Sequence, residues 1–213
     1  EALQHSHPDL PIIGCVLRHS NLSLPSRHLG LVQAAEMHDL DRFLNSAADI
    51  LSQEIDIDRL IRLSKPCILP QPKADVAVLP PLGQRIGIAQ DAAFSFIYPH
   101  ILNGWRKAGA EIYPFSPLAE DSIPPDIDAV FLPGGYPELH AAFIAASPFL
   151  PSLRTAAEHG VKIYGECGGY MVLGQGLIDA EGRHHAMAGL LPLETSFAEK
   201  QRHLGYRQID LDI

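Results

Sequence analysis

The sequence has few of the features that mark membrane, disulfide-rich or nucleic-acid-binding proteins. No apolar run approaches the ~18 residues of a membrane span, and no basic-then-apolar leader opens the chain. The three cysteines form neither a CxxC pair nor a zinc-ligand spacing, so we expect no disulfide framework. Only 16 Lys and Arg stand against 25 Asp and Glu, a net charge of −9, which argues against nucleic acid and anionic membranes as partners. We therefore expect an acidic cytoplasmic protein.

The chain does contain a regular alternation of strand and helix patterns. Its 213 residues are 46% hydrophobic, enough for a sizeable core. Beyond residue 84 the pattern predicts four strands and four helices with short connections, which is typical of a parallel sheet covered on both faces. The predicted strands are 85–89, 110–113, 129–132 and 161–164, and the predicted helices are 95–108 and those beginning near 137, 148 and 168.

The first part of the chain is less regular and ends at a proline-rich segment. Residues 71–84 have the composition of a linker with little helix. Before it, the patterns predict strands at 11–17 and 28–32, a helix from Leu40 to Leu51 capped by Asp39, and a shorter helix from Asp56 to Pro66. The chain begins with Glu1 rather than Met, and the alternation of residues 208–213 predicts a strand. We therefore expect a piece of a longer architecture.

Cys167 lies in the motif Gly-Glu-Cys-Gly-Gly, directly after a predicted strand and before a predicted helix. G-x-C-x-G in that position is the pattern of a nucleophile elbow with sulfur in place of oxygen. Gly165 and Gly169 lack a Cβ, which lets the strand and the helix approach each other. A thiol at a helix N-terminus is favoured as thiolate, the attacking species. Without this context, a single cysteine is more often a small buried apolar residue.

A second glycine motif, Pro-Gly-Gly-Tyr-Pro at 133–137, follows the predicted strand 129–132. Gly134 and Gly135 could present backbone N–H groups to a developing oxyanion, with the N–H of Gly168 as the second donor. A simple Gly-Gly turn into a helix is the alternative. About 32 residues separate the two motifs, the length of one strand–helix repeat, so they can meet at the carboxyl edge of one sheet.

Five separated segments, taken in order, carry a resemblance to a known family. They resemble the cobyrinic acid a,c-diamide synthases, the cobalamin-pathway branch of the class I glutamine amidotransferases. The segments are residues 85–96, 115–118, 134–138, 165–169 and 203–207. Residues 27–36 resemble the tail of that family's ATP-dependent synthetase domain.

The resemblance implies a domain organisation. Residues 85–213 would form a class I glutamine amidotransferase-like (flavodoxin-like) α/β domain, truncated at its C-terminus. It would have a parallel sheet with helices on both faces. Residues 1–70 would be the remnant of a P-loop-type α/β synthetase domain, with residues 71–84 as the linker.

The resemblance also implies a reaction. Cys167 would attack the side-chain amide of glutamine to give a thioester and ammonia. Ammonia would pass to the enzyme's own N-terminal synthetase domain. There ATP with Mg²⁺ would activate the a and c carboxylates of the corrin substrate, cobyrinic or hydrogenobyrinic acid. A homodimer is compatible with the resemblance.

Two parts of the family pattern are missing from this sequence. No G-x-x-x-x-G-K-[ST] phosphate loop occurs, and we assign no metal ligand within the chain. The family's catalytic histidine follows the Gly-Tyr-Arg segment, here residues 205–207, and is expected beyond Ile213. Without a neighbouring imidazole a thiol is a much weaker nucleophile, so we expect this fragment to be inactive by itself.

Other polar residues near the motifs have structural explanations. We expect His184 and His185 to lie in an exposed polar turn and His203 to be a solvated residue before a strand. Glu138 and Glu166 could transfer protons, but Glu138 suits the first turn of a helix and Glu166 could orient the elbow. Two further sites have open roles. Asp91 resembles a family position near the domain junction but could equally be an N-cap. Residues 195–197 lie where related amidotransferases bind the backbone groups of glutamine but could equally form a plain turn.

Three functions therefore remain open from the sequence. The leading one is a glutamine amidotransferase fragment. The second is a catalytically silent binding module on the same scaffold, since the histidine is missing. The third is a Cys-dependent hydrolase of unrelated specificity, because one fold hosts many chemistries.

Overall fold

The computed structural model describes residues 2–27, 30–67, 79–198, 205, 206 and 208. The chain divides into two compact units, residues 1–72 and 73–213. His203, the predicted strand at 208–213 except for Gln208, and residues 71–78 of the predicted linker lie outside the described residues. Among the helices that the structure describes, none has the length and apolar character of a membrane span.

The first unit is built from short elements. Its helices are α1 (Ala2–Ser6), α2 (Leu40–Glu54) and α3 (Ile57–Leu63), with single 3₁₀ turns at Ser20–Leu22 and Ala34–Glu36. Two short strands, β1 (Ser26–Arg27) and β2 (Gly30–Leu31), pair antiparallel. None of the described side chains of this unit is buried.

Local sequence signals explain the helices of the first unit. Helix α2 begins after Asp39 as predicted, but the Asp39 side chain makes no capping hydrogen bond. Helix α3 is capped by Asp56, whose Oδ1 accepts the Arg59 N–H at 2.8 Å. The predicted strand at 11–17 is wrong. Only an isolated bridge between Gly14 and Ile55 forms there, because Gly14 lies directly against the backbone of residues 54–55.

The second unit contains the predicted parallel sheet. Its strands are β3 (Arg85–Ala89), β4 (Glu111–Phe115), β5 (Ala129–Leu132) and β6 (Lys162–Gly165). They lie in the order β4–β3–β5–β6 and all pair parallel. This order places the carboxyl ends of β3, β5 and β6 side by side, with Leu132 opposite Gly165. The predicted α/β fold with a parallel sheet is confirmed.

The two middle strands of this sheet, β3 and β5, are buried on both faces, as the sequence predicts for a parallel sheet. The outer strands β4 and β6 keep exposed residues, such as Tyr113 and Tyr164. Alternate residues of one strand enter different cores because successive side chains point to opposite faces. Ile86, Ile88 and Phe131 pack with Trp105 of helix α4 (Pro99–Lys107). Val130 and Leu132, among others, pack on the other face with helices α5 (Ala141–Ala146), α6 (Phe149–Glu158) and α7 (Gly168–Leu173).

Prolines set two boundaries differently from the prediction. Helix α4 begins at Pro99 and not at residue 95, because the residue before a proline disfavours the helical conformation. Residues 95–98 are instead non-helical, and Phe96 forms a bridge with Gly134. The helix predicted from Pro137 is one 3₁₀ turn, Pro137–Leu139, followed by α5.

A small three-stranded sheet follows α7. Its strands are β7 (Gly176–Ile178), β8 (His184–Ala186) and β9 (Glu194–Ser196), in the order β8–β7–β9. Strand β7 pairs antiparallel with β8 and parallel with β9. The predicted turn at His184 and His185 and the alternative of a plain turn at Thr195–Ser196 are therefore wrong, since these residues lie in strands.

Candidate active site

Cys167 lies at the bend between β6 and α7 with a strained backbone. Its φ of 49° and ψ of −113° fall outside the regions that non-glycine residues normally occupy. Hydrogen bonds on both sides hold this conformation: the Gly169 N–H donates to the Glu166 carbonyl at 2.8 Å, and the Met171 N–H donates to the Cys167 carbonyl at 3.1 Å. Such strain at an exposed cysteine is the geometry of a nucleophile elbow.

The two outer glycines of the motif lie where strand and helix meet. A Cβ at Gly169 would collide with the backbone carbonyl of Leu132 in the neighbouring strand β5. A Cβ at Gly165 would lie 2.9 Å from the carbonyl carbon of Gly169 and 2.8 Å from Leu173 Cδ1. Neither distance is compatible with a side chain, so both glycines are required by close approach and not by positive φ.

The second glycine motif contacts the elbow. A Cβ built on Gly134 would lie 3.2 Å from the Cβ of Cys167, and a Cβ built on Gly168 would lie 3.2 Å from the Gly135 nitrogen. Within the described part of the chain, neither the Gly135 N–H nor the Gly168 N–H donates a hydrogen bond. The structure therefore brings Cys167, Gly134, Gly135 and Gly168 together, and the N–H groups of Gly135 and Gly168 lie close to the residue Cys167.

A third segment, after β3, supports the second glycine motif. The Phe96 N–H donates to the Gly134 carbonyl at 3.0 Å, and the Tyr136 N–H donates to the Ala93 carbonyl at 3.1 Å. The rings of Phe96 and Tyr136 pack edge to face with centroids 5.2 Å apart. This contribution does not follow from the predicted helix 95–108, and Pro99 is the sequence signal that excludes residues 95–98 from a helix.

The carboxylates near the motifs make different contributions. The backbone of Glu166 supports the elbow, since its N–H donates to the Leu132 carbonyl at 3.1 Å. Partial burial raises the pKa of the Glu166 carboxyl. Glu138 lies in the 3₁₀ turn Pro137–Leu139 rather than in an α-helix. Asp91 is not an N-cap of α4, which begins eight residues later.

The two histidines of β8 pair with carboxylates. His184 Nε2 lies 2.8 Å from Glu194 Oε2, and His185 Nε2 lies 2.9 Å from Asp179 Oδ2. Asp179 is buried and His185 nearly so, with 6% and 12% of the side chains exposed. The prediction of a solvated His185 is therefore wrong. We assign neither histidine as the base for Cys167.

The described residues offer no fit for the cofactors that the resemblance implies. Among them, no group of three or more His, Cys, Asp or Glu side chains could hold a metal ion. The sequence also has no glycine-rich phosphate loop ending in Lys and Ser or Thr. Neither Mg²⁺ nor ATP therefore has identifiable ligands in this part of the protein.

Comparison with known proteins gives two kinds of match. Hydrogenobyrinate a,c-diamide synthase of Brucella abortus biovar 1 (strain 9-941) is 54% identical over 207 residues, which are 94% of this chain and 46% of that protein. The protein of the same name from Rhodobacter capsulatus is 52% identical over 203 residues, or 95% of this chain and 46% of its own length. The chain thus spans about half the length of these curated relatives.

The second match is to a family model and covers the second unit. Residues 85–212 match the CobB/CobQ-like glutamine amidotransferase domain. This range contains all four strands of the parallel sheet, the elbow at Cys167 and the glycine motif that contacts it. It is also the range over which the sequence motifs resembled the cobalamin-pathway amidotransferases. The matched range and the fold agree, and the chain belongs to the CobB/CobQ-like glutamine amidotransferase family.

Proposed function

We propose that residues 85–213 hydrolyse glutamine with Cys167 as the nucleophile, as part of an enzyme that amidates a corrin. The observation that carries this proposal is the strained, exposed Cys167 beside the N–H groups of Gly135 and Gly168. A nucleophile next to two donors without acceptors is the arrangement that acyl transfer requires.

The proposed reaction begins when the Cys167 thiolate attacks the side-chain carboxamide carbon of glutamine. A C–S bond forms, and the carbonyl oxygen gains a negative charge that the N–H groups of Gly135 and Gly168 stabilise. The tetrahedral intermediate then collapses, the C–N bond breaks, and the nitrogen leaves as ammonia. The nitrogen takes the proton that the thiol gave up to the base, which we expect to be the histidine beyond Ile213. Water hydrolyses the remaining thioester to glutamate and frees the thiol.

We further propose that the ammonia converts the a and c carboxylates of hydrogenobyrinic acid to amides. The names of the curated relatives support this substrate over cobyrinic acid. ATP and Mg²⁺ would activate the carboxylates in the synthetase part of the intact protein.

Residues 1–70 are proposed to belong to that synthetase part. The first unit has no buried side chain among its described residues and leaves large apolar side chains exposed, such as Ile61 at 63%. An apolar surface of this kind is typical of a segment that packs against further protein.

The proposed nucleophile is tested by glutamine hydrolysis in the full-length protein. Cys167→Ala should lower the rate of ammonia release by more than about 1,000-fold, because no other group can form the thioester. Cys15→Ala and Cys67→Ala are matched controls that remove exposed thiols of the other unit and should leave the rate unchanged. Ammonia release that survives Cys167→Ala would overturn the proposal.

Thiol labelling separates a hydrolase from a silent binding module. A glutamine-like electrophile should modify Cys167 faster than Cys15 or Cys67, measured peptide by peptide by mass spectrometry. Binding of glutamine without ammonia release and without selective labelling of Cys167 would identify a silent module.

A further inference from the structure

Asp91 lies in the turn after β3 and joins two loops at the carboxyl edge of the sheet. Its Oδ1 accepts the N–H of Ala93 at 2.9 Å and that of Phe94 at 3.2 Å. Its Oδ2 accepts the Ser116 hydroxyl at 3.0 Å and the Leu118 N–H at 2.9 Å, both from the loop after β4. One half-buried carboxylate thus fixes the turn at residues 91–94 against a neighbouring loop.

The turn that Asp91 fixes holds the glycine motif from two sides. The Ala93 carbonyl accepts the Tyr136 N–H, and the Phe96 N–H donates to the Gly134 carbonyl. Gly135 lies between these two bonds, so close to Ala93 that a Cβ on Gly135 would collide with the Ala93 carbonyl oxygen. Because the fit is this tight, a displacement of Ala93 must displace Gly135.

We propose that Asp91 is a positioning residue for the oxyanion donor at Gly135. The inference rests on the proposed glutaminase function and adds a residue that does not contact glutamine or Cys167. Asp91 holds Ala93 and, through the same turn, Phe96. These two residues hold the Gly135 N–H toward the place where negative charge develops. Hydrogen-bond donors at that place act strongly only when they are already aligned.

Asp91→Asn tests the proposal with little change in size. An asparagine has one acceptor oxygen, whereas Asp91 uses two. In the variant the NH₂ group must therefore face donors that bond to a carboxylate oxygen in the unsubstituted protein, and those hydrogen bonds are lost. We expect kcat for glutamine hydrolysis to fall by about 10-fold or more, while KM changes by less than about twofold. Alkylation of Cys167 by iodoacetamide should stay within about twofold, because that displacement needs the thiolate but no oxyanion donor.

Asp128→Asn is the matched control. Asp128 also accepts a backbone N–H, that of Arg85 at 2.7 Å, but at the opposite end of β3. The kcat of Asp128→Asn should stay within about twofold of that of the unsubstituted protein. An equal fall of kcat in both variants, or a parallel loss of kcat and Cys167 alkylation in Asp91→Asn, would show a general structural role and overturn the proposal. An unchanged kcat in Asp91→Asn would also overturn it.

Ser116→Ala keeps the proposal testable if Asp91→Asn does not fold. It removes one of the four donors to Asp91, and we expect a fall in kcat of about threefold with unchanged alkylation of Cys167. An unchanged kcat in this variant would then reject the positioning role. If the unsubstituted full-length protein releases no ammonia, the proposed function itself fails; if it does and only these variants disagree, the positioning role alone fails.

Discussion

The two compact units of the chain differ most in how much of their side-chain surface is buried. The second unit has two cores, one on each face of its parallel sheet, whereas no described side chain of the first unit is buried. Burial of apolar surface is the main stabilising contribution in folding. A strained residue such as Cys167 persists only where the surroundings fix it, so the proposed chemistry lies in the unit with the cores.

The sharpest test of this difference removes one large apolar side chain from each unit. Phe149 is fully buried and packs against Phe94 and Phe115, so Phe149→Ala should cost about 3–5 kcal/mol. Leu60 is 46% exposed in α3, and Leu60→Ala should cost less than about 1 kcal/mol.

Trp105 reports on the second unit alone in this test. It is the single tryptophan of the chain and lies in one of the two cores, 5.8 Å from the Phe131 ring. The urea midpoint of its fluorescence should fall in Phe149→Ala. Far-UV circular dichroism also reports on helices α2 and α3 of the first unit, and its urea midpoint should change little in Leu60→Ala. Similar shifts in both variants would contradict the proposed contrast between the units.

A second test adds one methyl group at two glycines of the second unit. Gly169→Ala places a Cβ against the Leu132 carbonyl and should lower the free energy of unfolding by about 3 kcal/mol. Selective labelling of Cys167 should be lost as well. Gly87→Ala is the matched control, since its Cβ would lie 3.5 Å from Phe115, an ordinary contact. Urea unfolding followed through Trp105 measures both. Equal stability of the two variants would contradict the close approach of β5 and α7.

A third test compares one carboxylate of each unit as the pH falls. The hydrogen bonds from His185 and Arg183 hold the pKa of Asp179 well below its usual range. A carboxyl whose pKa is lowered in the folded state stabilises the protein at pH values above the ordinary Asp pKa of about 4. This contribution is lost as the pH falls from about 4 toward the lowered pKa. Asp179→Asn should therefore be less stable than the parent protein at pH 7, with a difference that shrinks below about pH 4.

Glu54 is the corresponding carboxylate of the first unit. Its bonds to His19 and to the Leu17 N–H lower its pKa. It has fewer hydrogen bonds than Asp179 and is more exposed, so Glu54→Gln should change the pH dependence less. Stability curves from pH 7 to about pH 2.5 compare the two variants. A difference between Asp179→Asn and the parent that does not vary with pH would reject the assignment.

The smallest expected effect concerns the cap of α3. Asp56→Ala removes the acceptor of the Arg59 N–H and should cost about 1 kcal/mol, seen as faster hydrogen exchange of the α3 amides. Asp58→Ala removes a first-turn charge without removing the cap, and in about 0.5 M salt its effect should be smaller. Equal exchange rates in the two variants would exclude a role for the cap.

The sequence predicted the elements of the second unit better than those of the first. Strands β3 and β5 and helix α7 have the predicted limits because continuous apolar runs and flanking glycines leave few alternatives. The apolar run at 11–17 looked the same but forms no strand. A strand needs a partner, and the described residues give this run only the bridge between Gly14 and Ile55. The local hydrophobic pattern therefore predicted a strand correctly only where neighbouring strands of a sheet could pair with it.

The candidate site divides in a similar way. The motif around Cys167 predicted the elbow because its glycines sit at fixed distances along the chain. The contribution of residues 91–96 could not be predicted from spacing, since Asp91 and Phe96 reach Leu118 and Gly134 across the sheet edge. The pairing of His185 with Asp179 was also not predicted, because the polar residues around His185 favoured an exposed turn over the strand β8 that forms.

The sequence by itself determined that the chain folds into an α/β sheet with a cysteine at a strand–helix bend, because periodicity and glycine spacing act over a few neighbouring residues. Only the tertiary structure decided which groups surround that cysteine. The carboxyl ends of β3, β5 and β6 meet through parallel pairing, and this brings Ala93, Gly135 and Gly168 to one edge although up to 75 residues separate them along the chain. Contacts of that range follow from strand order, which no local pattern encodes.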